Sequence, residues 1–301
     1  MLLSQYNWAQ KYSTEEVYIK SFDDVKLSGT LLYPTKFDLP VDLVIIISGT
    51  GPTDRNGNSG EMTNDAIKLL AEGITQKKIA SFRYDKRGVG KSLHASIQEK
   101  DLVIEDYVKD VVSLVQHFEN DERFYSISII GHDDGALIGI LAAQKVRVKQ
   151  FISISGCGRT ANLLLEDQLE KQYNKHQTKV ILDSLKLGFN VEELGQLNYL
   201  MRSSVQHYMR SWFAYDPAVE ISKLTCRVLI IQGDNDVQVK VKEGDMLYSS
   251  KPDADYYTIS KMNHVFREIK GNFSDNIKSY YNPDLPISEK LTKKIVKFLA
   301  F

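Results

Sequence analysis

The stretch Ser126–Ala143, SISIIGHDDGALIGILAA, decides how this chain of 301 residues is expected to fold. An apolar run typical of a strand ends at Gly131, and a run of small and apolar residues typical of a helix follows Gly135. The pentapeptide between them is Gly-His-Asp-Asp-Gly. Glycines on both sides of an apex are typical of a sharp strand-to-helix turn, because the backbone is crowded there. The sequence therefore predicts that Asp133 stands at the apex of such a turn.

A turn of this layout with serine at its centre, Gly-x-Ser-x-Gly, is the nucleophile elbow. Here a carboxylate stands where the hydroxyl is expected. The alternative interpretation is an ordinary strand-to-helix turn in which Asp133 or Asp134 caps the helix. The two interpretations can be distinguished by the rest of the chain, because an elbow nucleophile needs an acid and then a histidine further along the chain.

Candidates for both partners follow two later strand patterns. Asp234 and Asp236 come directly after RVLIIQG, and His264 comes shortly after DYYTISK. Each lies where a strand is expected to end, and open α/β sheets build their sites at the carboxyl ends of their strands. His132 precedes the apex and is expected to point away from it. The sequence thus predicts a site that combines Asp133 with one of the two later aspartates and His264.

Strand and helix patterns alternate along almost the whole chain. Eight strand patterns predict a mostly parallel sheet with helices on both faces, after an opening antiparallel pair. Residues 160–212 have a helical pattern without a convincing strand, and a connection this long needs structure of its own. We therefore expect a core formed by residues 1–159 and 213–301 and a helical cap formed by residues 160–212. Residues 272–288, NFSDNIKSYYNPDLPIS, are expected to form a loop.

Composition and charge exclude several classes of function. The formal net charge is -1, which suggests neither nucleic acid nor an anionic membrane as a partner. The first residues do not resemble a signal peptide, and no apolar run is long enough to span a membrane, so we expect a cytoplasmic protein. No Cys/His cluster has metal-ligand spacing, so no metal and no organic cofactor is implied. The expected partner is a small-molecule substrate, and the sequence does not indicate an oligomeric state.

Two glycine-containing loops invite a functional interpretation. Gly49-Thr50-Gly51-Pro52 follows the apolar strand pattern DLVIIIS, and its glycines allow backbone amides to turn toward a ligand. The alternative is a plain Gly/Pro turn. RGVGKS, residues 87–92, looks like the end of a phosphate-binding loop, but that motif requires glycine at position 85, which is Asp85. The sequence therefore favours a loop at residues 49–52 whose backbone amides bind an oxyanion. It does not favour a nucleotide site at residues 87–92.

With these patterns together, the chain resembles the α/β hydrolases over nearly its whole length, and more narrowly the bacterial serine esterase and peptidase-like branch. Its patterns SGTGPTDRNGN, RYDKRGVGKS, SWFAYDPA, VLIIQGDNDVQV and the late Asn-His pair resemble that branch, and only the serine of the elbow departs. The resemblance implies Asp133 at the nucleophile position, Asp236 as the acid and His264 as the base. It also implies oxyanion amides at Thr50 and Asp134.

The aspartate changes the chemistry that the resemblance implies. An aspartate in water is ionised at neutral pH and needs no base to attack, so histidine would instead activate the water that splits the intermediate. This arrangement resembles that of epoxide hydrolases and haloalkane dehalogenases of the same fold. Attack on an ester would give a mixed anhydride and expel a poor leaving group, whereas attack on an sp³ carbon bearing a halide or epoxide oxygen gives a stable ester.

Three hypotheses follow from the sequence. The first is a hydrolase with an aspartate nucleophile, the second an esterase-like member that has lost its serine and most of its activity, and the third a silent protein that binds a small ligand. Epoxide hydrolases use cap tyrosines as proton donors, and the expected cap offers Tyr173, Tyr199 and Tyr208. For each tyrosine, a packing or surface role is the alternative. A dehalogenase would carry paired halide-binding tryptophans, and this chain has only Trp8 and Trp212.

Overall fold

One mixed β-sheet organises the molecule. The computed structural model describes residues 12–35, 40–49, 51–170 and 172–300. Within these ranges the strands are β1 (Tyr12–Lys20), β2 (Lys26–Pro34), β3 (Val41–Ile47), β4 (Ala80–Tyr84), β5 (Phe124–His132), β6 (Gln150–Ile154), β7 (Arg227–Gly233) and β8 (Asp255–Ile259). Their order across the sheet is β1-β2-β4-β3-β5-β6-β7-β8. Only β2 runs antiparallel to its neighbours, and all other pairs are parallel. The predicted eight-stranded, mostly parallel sheet is confirmed.

Helices connect the strands and cover both faces of the sheet. They are α1 (Ala66–Thr75), α2 (Ile104–Glu119), α3 (Asp134–Ala143), α4 (Ala161–Leu169), α5 (Lys175–Lys186), α6 (Asn198–Met201), α7 (Ser203–Phe213), α8 (Pro217–Ser222), α9 (Val241–Ser250), α10 (Phe273–Lys278) and α11 (Glu289–Leu299). Alternate residues of a strand point to opposite faces. In β3, Ile45 belongs to the apolar core that α2 and α3 cover, and Val44 belongs to the core that α1 and α11 cover.

The segment 160–212 is helical, as its pattern predicts. It carries α4, α5, α6 and almost all of α7, and no strand lies among its described residues. Within it, α4 packs against α5, and α7 packs against α4, α5 and α2. The division of the chain into a core and a cap stays a prediction at this point.

The expectation of a loop at residues 272–288 was wrong for its first part, which forms α10. A reciprocal capping box begins this helix: the Asn272 side chain accepts from the Asp275 N–H at 3.2 Å, and the Asp275 carboxylate accepts from the Asn272 N–H at 3.1 Å. Two end groups of the helix are satisfied in this way. A helix of six residues is too short to show a hydrophobic period, so the cap was its only signal in the sequence.

Buried ion pairs hold the loops after β3 and β4 together. The Arg55 guanidinium lies 2.7 Å from the Asp85 carboxylate and 2.8 Å from Glu16 in β1. Arg87 lies 2.6 Å from the buried Asp110 of α2. Arg55 belongs to the pattern TDRNGN, and Asp85 and Arg87 belong to RYDKRGVGKS, so both patterns help to position these loops. Removing one partner of such a buried pair is strongly destabilising, because it leaves an uncompensated charge.

Candidate functional site

Asp133 stands at the apex of the turn between β5 and α3. Its backbone has φ 54 and ψ −122, a combination that is strained for any residue with a Cβ. Neighbouring elements hold it there. The Asp133 N–H donates to the Ile154 carbonyl of β6 at 3.0 Å, and the Asp133 carbonyl accepts from the Ala136 N–H at 3.0 Å. Strain of this kind persists where the surroundings enforce it, and such positions cluster at functional sites.

The two flanking glycines are required by space. A Cβ on Gly131 would lie 2.3 Å from the Gly135 carbonyl oxygen, and one on Gly135 would lie 2.6 Å from the Ile47 oxygen and 2.7 Å from the Ser48 oxygen. All three atoms belong to the backbone, which cannot move aside as a side chain does. The helix can therefore begin this close to the end of β3 only with glycine at both positions.

His264 and Asp236 form a buried pair. His264 Nδ1 lies 2.9 Å from Asp236 Oδ2, and Asp236 Oδ1 accepts from the N–H groups of Gln238 at 2.8 Å and Val239 at 3.0 Å. Asp234 instead accepts from the Lys261 N–H at 2.5 Å. Of the two aspartates that the sequence left as candidates, Asp236 is thus the one that the structure brings to His264.

The electrostatics of this pair favour a charged imidazole. Burial lowers the pKa of His264, but the Asp236 carboxylate and, to a smaller extent, that of Asp133 raise it to about 9. The pKa of Asp236 is lowered, because the interaction with His264 and the two backbone N–H donors outweigh the effect of burial. At neutral pH, His264 is therefore an imidazolium that is paired with the Asp236 carboxylate.

His132 does not point away from the site, and that expectation was wrong. Its ring lies 4.6 Å from the His264 ring, centroid to centroid, and its Nε2 is 3.0 Å from the His264 carbonyl oxygen. Burial, together with the nearby positive charge of His264, lowers the pKa of His132 to about 4. His132 is therefore a neutral ring that packs beside the charged one.

The loop after β3 approaches Asp133 closely. A Cβ on Gly49 would lie 3.0 Å from Asp133 Oδ2. The predicted oxyanion residue Thr50 lies outside the described residues. Sequence reasoning missed Lys86, whose buried ammonium donates to the Gly49 carbonyl. Burial lowers the pKa of Lys86, although the carboxylates of Asp134 and Asp133 oppose this effect. Its position directly after β4 is the same strand-end signal that pointed to Asp236.

Asp134, the other predicted oxyanion residue, begins α3. Its N–H belongs to the first helical turn, whose N–H groups have no partner within the helix. The residue is only 7% exposed, and its Oδ2 accepts from the Tyr208 hydroxyl of α7 at 2.7 Å. Burial and the charge of Asp133 raise the pKa of Asp134 to about 6, although Lys86 and the Tyr208 hydroxyl oppose the rise. Of the three candidate tyrosines, Tyr208 is thus the one that reaches the elbow, while Tyr199 is 84% exposed.

A small cavity of about 10 Å³ lies against Asp133. It is lined by Asp133, Asp134, Leu137, Cys157, Arg159, Ala161, Leu164, Trp212 and Pro217. Helices α4 and α7 therefore line the same cavity as the elbow, with Ala161 and Leu164 from one and Trp212 from the other. A volume of this size holds about one water molecule.

Two kinds of feature are absent from the part of the chain that the structure describes. Its His, Cys, Asp and Glu side chains form no group of three or more that could hold a metal ion. Its helices include none of the length and apolar character needed to cross a membrane.

Part of the chain matches a known protein family. Residues 61–161, about a third of the chain, match the family model described as serine aminopeptidase, S33. A search of curated proteins by sequence finds no match. The pentapeptide with Asp133 lies inside the matched range.

Solved structures of esterases share the fold over nearly the whole chain. Est1E from Butyrivibrio proteoclasticus superposes with a TM-score of 0.60 at 17% identity, covering 95% of this chain and 99% of its own. The Pyrococcus furiosus esterase Pf2001 gives 0.62 at 17% identity, with 98% and 94% covered. A thermophilic esterase from Thermogutta terrifontis gives 0.58 at 15% identity, with 95% and 98% covered. This chain therefore has the α/β-hydrolase fold, and its elbow region is similar to the S33 family.

Proposed function

We propose that this protein is a hydrolase in which the carboxylate of Asp133 attacks carbon, with His264 and Asp236 as the acid–base pair. The observation that carries the proposal is their joint placement. Asp133 occupies the strained apex of the elbow, its charge contributes to the raised pKa of His264, and His264 is bound to Asp236. The similarity to esterases and to an aminopeptidase family supports hydrolysis as the class of reaction.

A strained epoxide is the substrate that best suits this arrangement. The Asp133 oxygen forms a bond to one ring carbon, and the bond from that carbon to the epoxide oxygen breaks with its electron pair on oxygen. The opened oxygen needs a proton, and His264 carries one because its pKa is about 9. A halide leaving group would take no proton and would leave His264 charged. The protonation state of His264 therefore favours an oxygen leaving group.

The second step uses the same histidine in its neutral form. Once Asp133 is an ester, its negative charge is gone, and one of the influences that raise the pKa of His264 goes with it. Neutral His264 takes a proton from water, and the hydroxide attacks the carbonyl carbon of the ester. The bond from that carbon to the alkyl oxygen breaks, and this oxygen takes the proton of the added hydroxyl group. The diol leaves, Asp133 is again a carboxylate with one oxygen from water, and His264 keeps its proton for the next turnover.

The remaining predicted parts have roles in this scheme. The N–H groups of Thr50 and Asp134 are the proposed donors to the oxyanion that forms at the Asp133 ester. Residues 160–212 are the proposed cap, because α4 and α7 line the cavity beside Asp133 and Tyr208 binds Asp134. A site closed to bulk water strengthens the electrostatic interactions inside it.

Isotope labelling tests the proposal directly. Styrene oxide is converted with excess enzyme in ¹⁸O-labelled water, and the peptide containing Asp133 is analysed by mass spectrometry. We expect one heavy oxygen in Asp133 after a single turnover. Asp133→Ala should abolish turnover, whereas the matched control Asp234→Asn should still convert the substrate.

Two results would contradict the proposal. Labelled diol without label in Asp133 would mean that water attacks the substrate directly. Rapid hydrolysis of p-nitrophenyl acetate by the wild type, unaffected by Asp133→Ala, would mean an esterase that does not use Asp133. If the protein converts neither substrate, the proposed reaction is wrong.

A further inference from the structure

A buried asparagine of α10 joins the loop that carries Asp236 to the loop that carries His264. The Asn276 Nδ2 donates to the Asn235 carbonyl at 2.8 Å, and its Oδ1 accepts from Asn263 Nδ2 at 2.8 Å. Asn276 is 1% exposed, and Asn263 is fully buried. Asn235 directly precedes Asp236 in the chain, and Asn263 directly precedes His264. One side chain therefore contacts the residue before the acid and the residue before the base.

Asn263 in turn fixes the short turn in which His264 lies. Its Oδ1 accepts from the Arg267 N–H at 2.8 Å, and its backbone N–H donates to the Arg267 carbonyl at 2.9 Å. Its carbonyl accepts from the Phe266 N–H at 3.1 Å. Phe266 has φ 65, which is unfavourable for a bulky residue. These bonds to Asn263 hold the turn in that conformation, and the direction of His264 depends on it.

The two side-chain amides can be oriented in only one way. The Arg267 N–H can only donate, so it takes Asn263 Oδ1, and Asn263 Nδ2 must then face Asn276. At the other end, the Asn235 carbonyl can only accept, so it takes Asn276 Nδ2. Turning either amide over would bring two donors or two acceptors together. Backbone groups at both ends thus define this bridge between the loops.

The bridge is a second point of attachment between the same two loops. The Asn235 N–H donates to the Met262 carbonyl at 3.1 Å, and a Cβ on Gly233 would lie 2.1 Å from that carbonyl oxygen. One point of attachment would allow the loops to rotate relative to each other, whereas two points prevent it. The Asn235 carbonyl also belongs to the peptide group that leads into Asp236. Asn276 therefore limits the rotation of that peptide group.

Three titratable groups face His264. The Asp236 carboxylate lies 2.9 Å from Nδ1, Asp133 acts on the ring from the elbow, and the His132 ring packs against it at 4.6 Å between centroids. The attraction between an imidazolium and a carboxylate weakens as they move apart. A change that loosens the two loops would therefore weaken the interaction of Asp236 with His264 first, because this is the closest of the three.

We infer that Asn276 is a positioning residue, which holds the loops of Asp236 and His264 at the separation that the hydrogen bond between these two side chains requires. The inference rests on the proposed function in one respect: it takes Asp236 and His264 to be the acid–base pair of the reaction. The geometry that Asn276 maintains exists in the free protein. It can therefore be tested without a substrate.

The substitution Asn276→Leu tests the bridge, because leucine has a similar size, makes neither hydrogen bond and adds no charge. NMR titration of protein labelled with ¹⁵N-histidine follows the His264 ring, which His264→Gln assigns. We expect its pKa to fall from about 9 by about one pH unit or more, because a carboxylate held less closely raises it less. With styrene oxide, kcat should fall about tenfold or more while KM changes less than about threefold, since Asn276 positions the acid–base pair.

The matched control is Ser279→Ala. Ser279 is as buried as Asn276, and its Oγ accepts from Asn263 Nδ2 at 2.7 Å and donates to the Asn276 carbonyl at 2.6 Å. This variant loses buried hydrogen bonds in the same segment but keeps both bonds of the Asn276 side chain. It should keep the pKa of His264 near 9 and the kcat of the wild type. A purely structural role of the segment would make the two variants alike.

Each outcome bears on the inference. An unchanged pKa of His264 in Asn276→Leu would overturn it, and so would an equal fall in Ser279→Ala. If Asn276→Leu does not fold, Asn276→Ala replaces it under the same criteria. Failure of both variants to fold would mean that Asn276 supports the whole fold, which also contradicts the inference.

The labelling of Asp133 is independent of these results. A lowered pKa in Asn276→Leu without label in Asp133 would leave the positioning role and refute the nucleophile. Label in Asp133 with an unchanged pKa would do the reverse.

Discussion

Replacing Asp236 by asparagine tests how strongly the buried pair with His264 stabilises the folded protein. The two side chains are 2.9 Å apart, and both are buried. Asparagine has the same shape as aspartate and can still accept a hydrogen bond, but it carries no charge. The main influence that raises the pKa of His264 is then lost, while burial continues to lower it. We expect His264 to become neutral at a pH where the wild type keeps it charged.

The size of the effect follows from linkage between protonation and folding. The pKa of His264 is about 9 in the folded protein against an ordinary 6.5, and at about 1.4 kcal/mol per pH unit this difference is about 3 kcal/mol. The folded state holds the proton more tightly than the unfolded state. This stabilisation is therefore complete below pH 6.5 and is lost as the pH rises through 9.

Urea unfolding at several pH values between about 6.5 and 9 measures the effect. The free energy of unfolding of the wild type should fall by about 3 kcal/mol more over this range than that of Asp236→Asn. Asp234→Asn is the matched control, because Asp234 binds the Lys261 N–H instead of a histidine, and it should follow the wild type. Equal losses in the wild type and in Asp236→Asn would refute the idea that Asp236 keeps His264 charged.

Three further changes test the elbow and the helices next to it. Asp133→Ser should hydrolyse p-nitrophenyl acetate at least about a hundredfold faster than Asp133→Ala once the pH is high enough for His264 to lose its proton, because the neutral histidine then has a hydroxyl to activate; no gain in a folded variant would contradict this. Gly135→Ala should lower the free energy of unfolding by about 1–3 kcal/mol, because its Cβ would lie 2.6 Å from the Ile47 oxygen; a variant as stable as the wild type in urea would contradict the crowding. Tyr208→Phe removes a donor that lowers the pKa of Asp134, so carbon NMR titration should find that pKa above about 6, and an unchanged value would mean that the hydrogen bond does not form.

The sheet could be predicted from the sequence because its strands are continuous apolar runs separated by helical patterns. Two buried faces leave a strand such as β3 few polar positions, and this pattern is hard to confuse with a surface element. The glycines at positions 131 and 135 likewise predicted a sharp turn, and the structure shows that a Cβ at either position would clash with backbone atoms. Short helices such as α10 were missed, because six residues are fewer than two helical turns.

Site residues that follow directly after strands could be predicted from the sequence. Site residues whose contacts depend on the direction of a side chain were missed. Asp236 and His264 follow β7 and β8, so their approach could be expected. The ring of His132 could not be placed, because its position beside His264 depends on the path of the loop after β8. Lys86 also follows a strand end, but its burial and its hydrogen bond to Gly49 depend on residues distant in the chain. Sequence spacing carries no information on such contacts.

The small cavity beside Asp133 has a kinetic consequence. A space of about 10 Å³ holds one water molecule, so a substrate that reaches Asp133 through this cavity requires a movement of its lining, to which α4 and α7 contribute. Under the proposed mechanism the product leaves through the same opening, and motions of this kind take microseconds to milliseconds. If the motion is slower than the bond-breaking steps, the turnover number will fall as solvent viscosity rises, and substrates of different intrinsic reactivity will be converted at similar maximal rates.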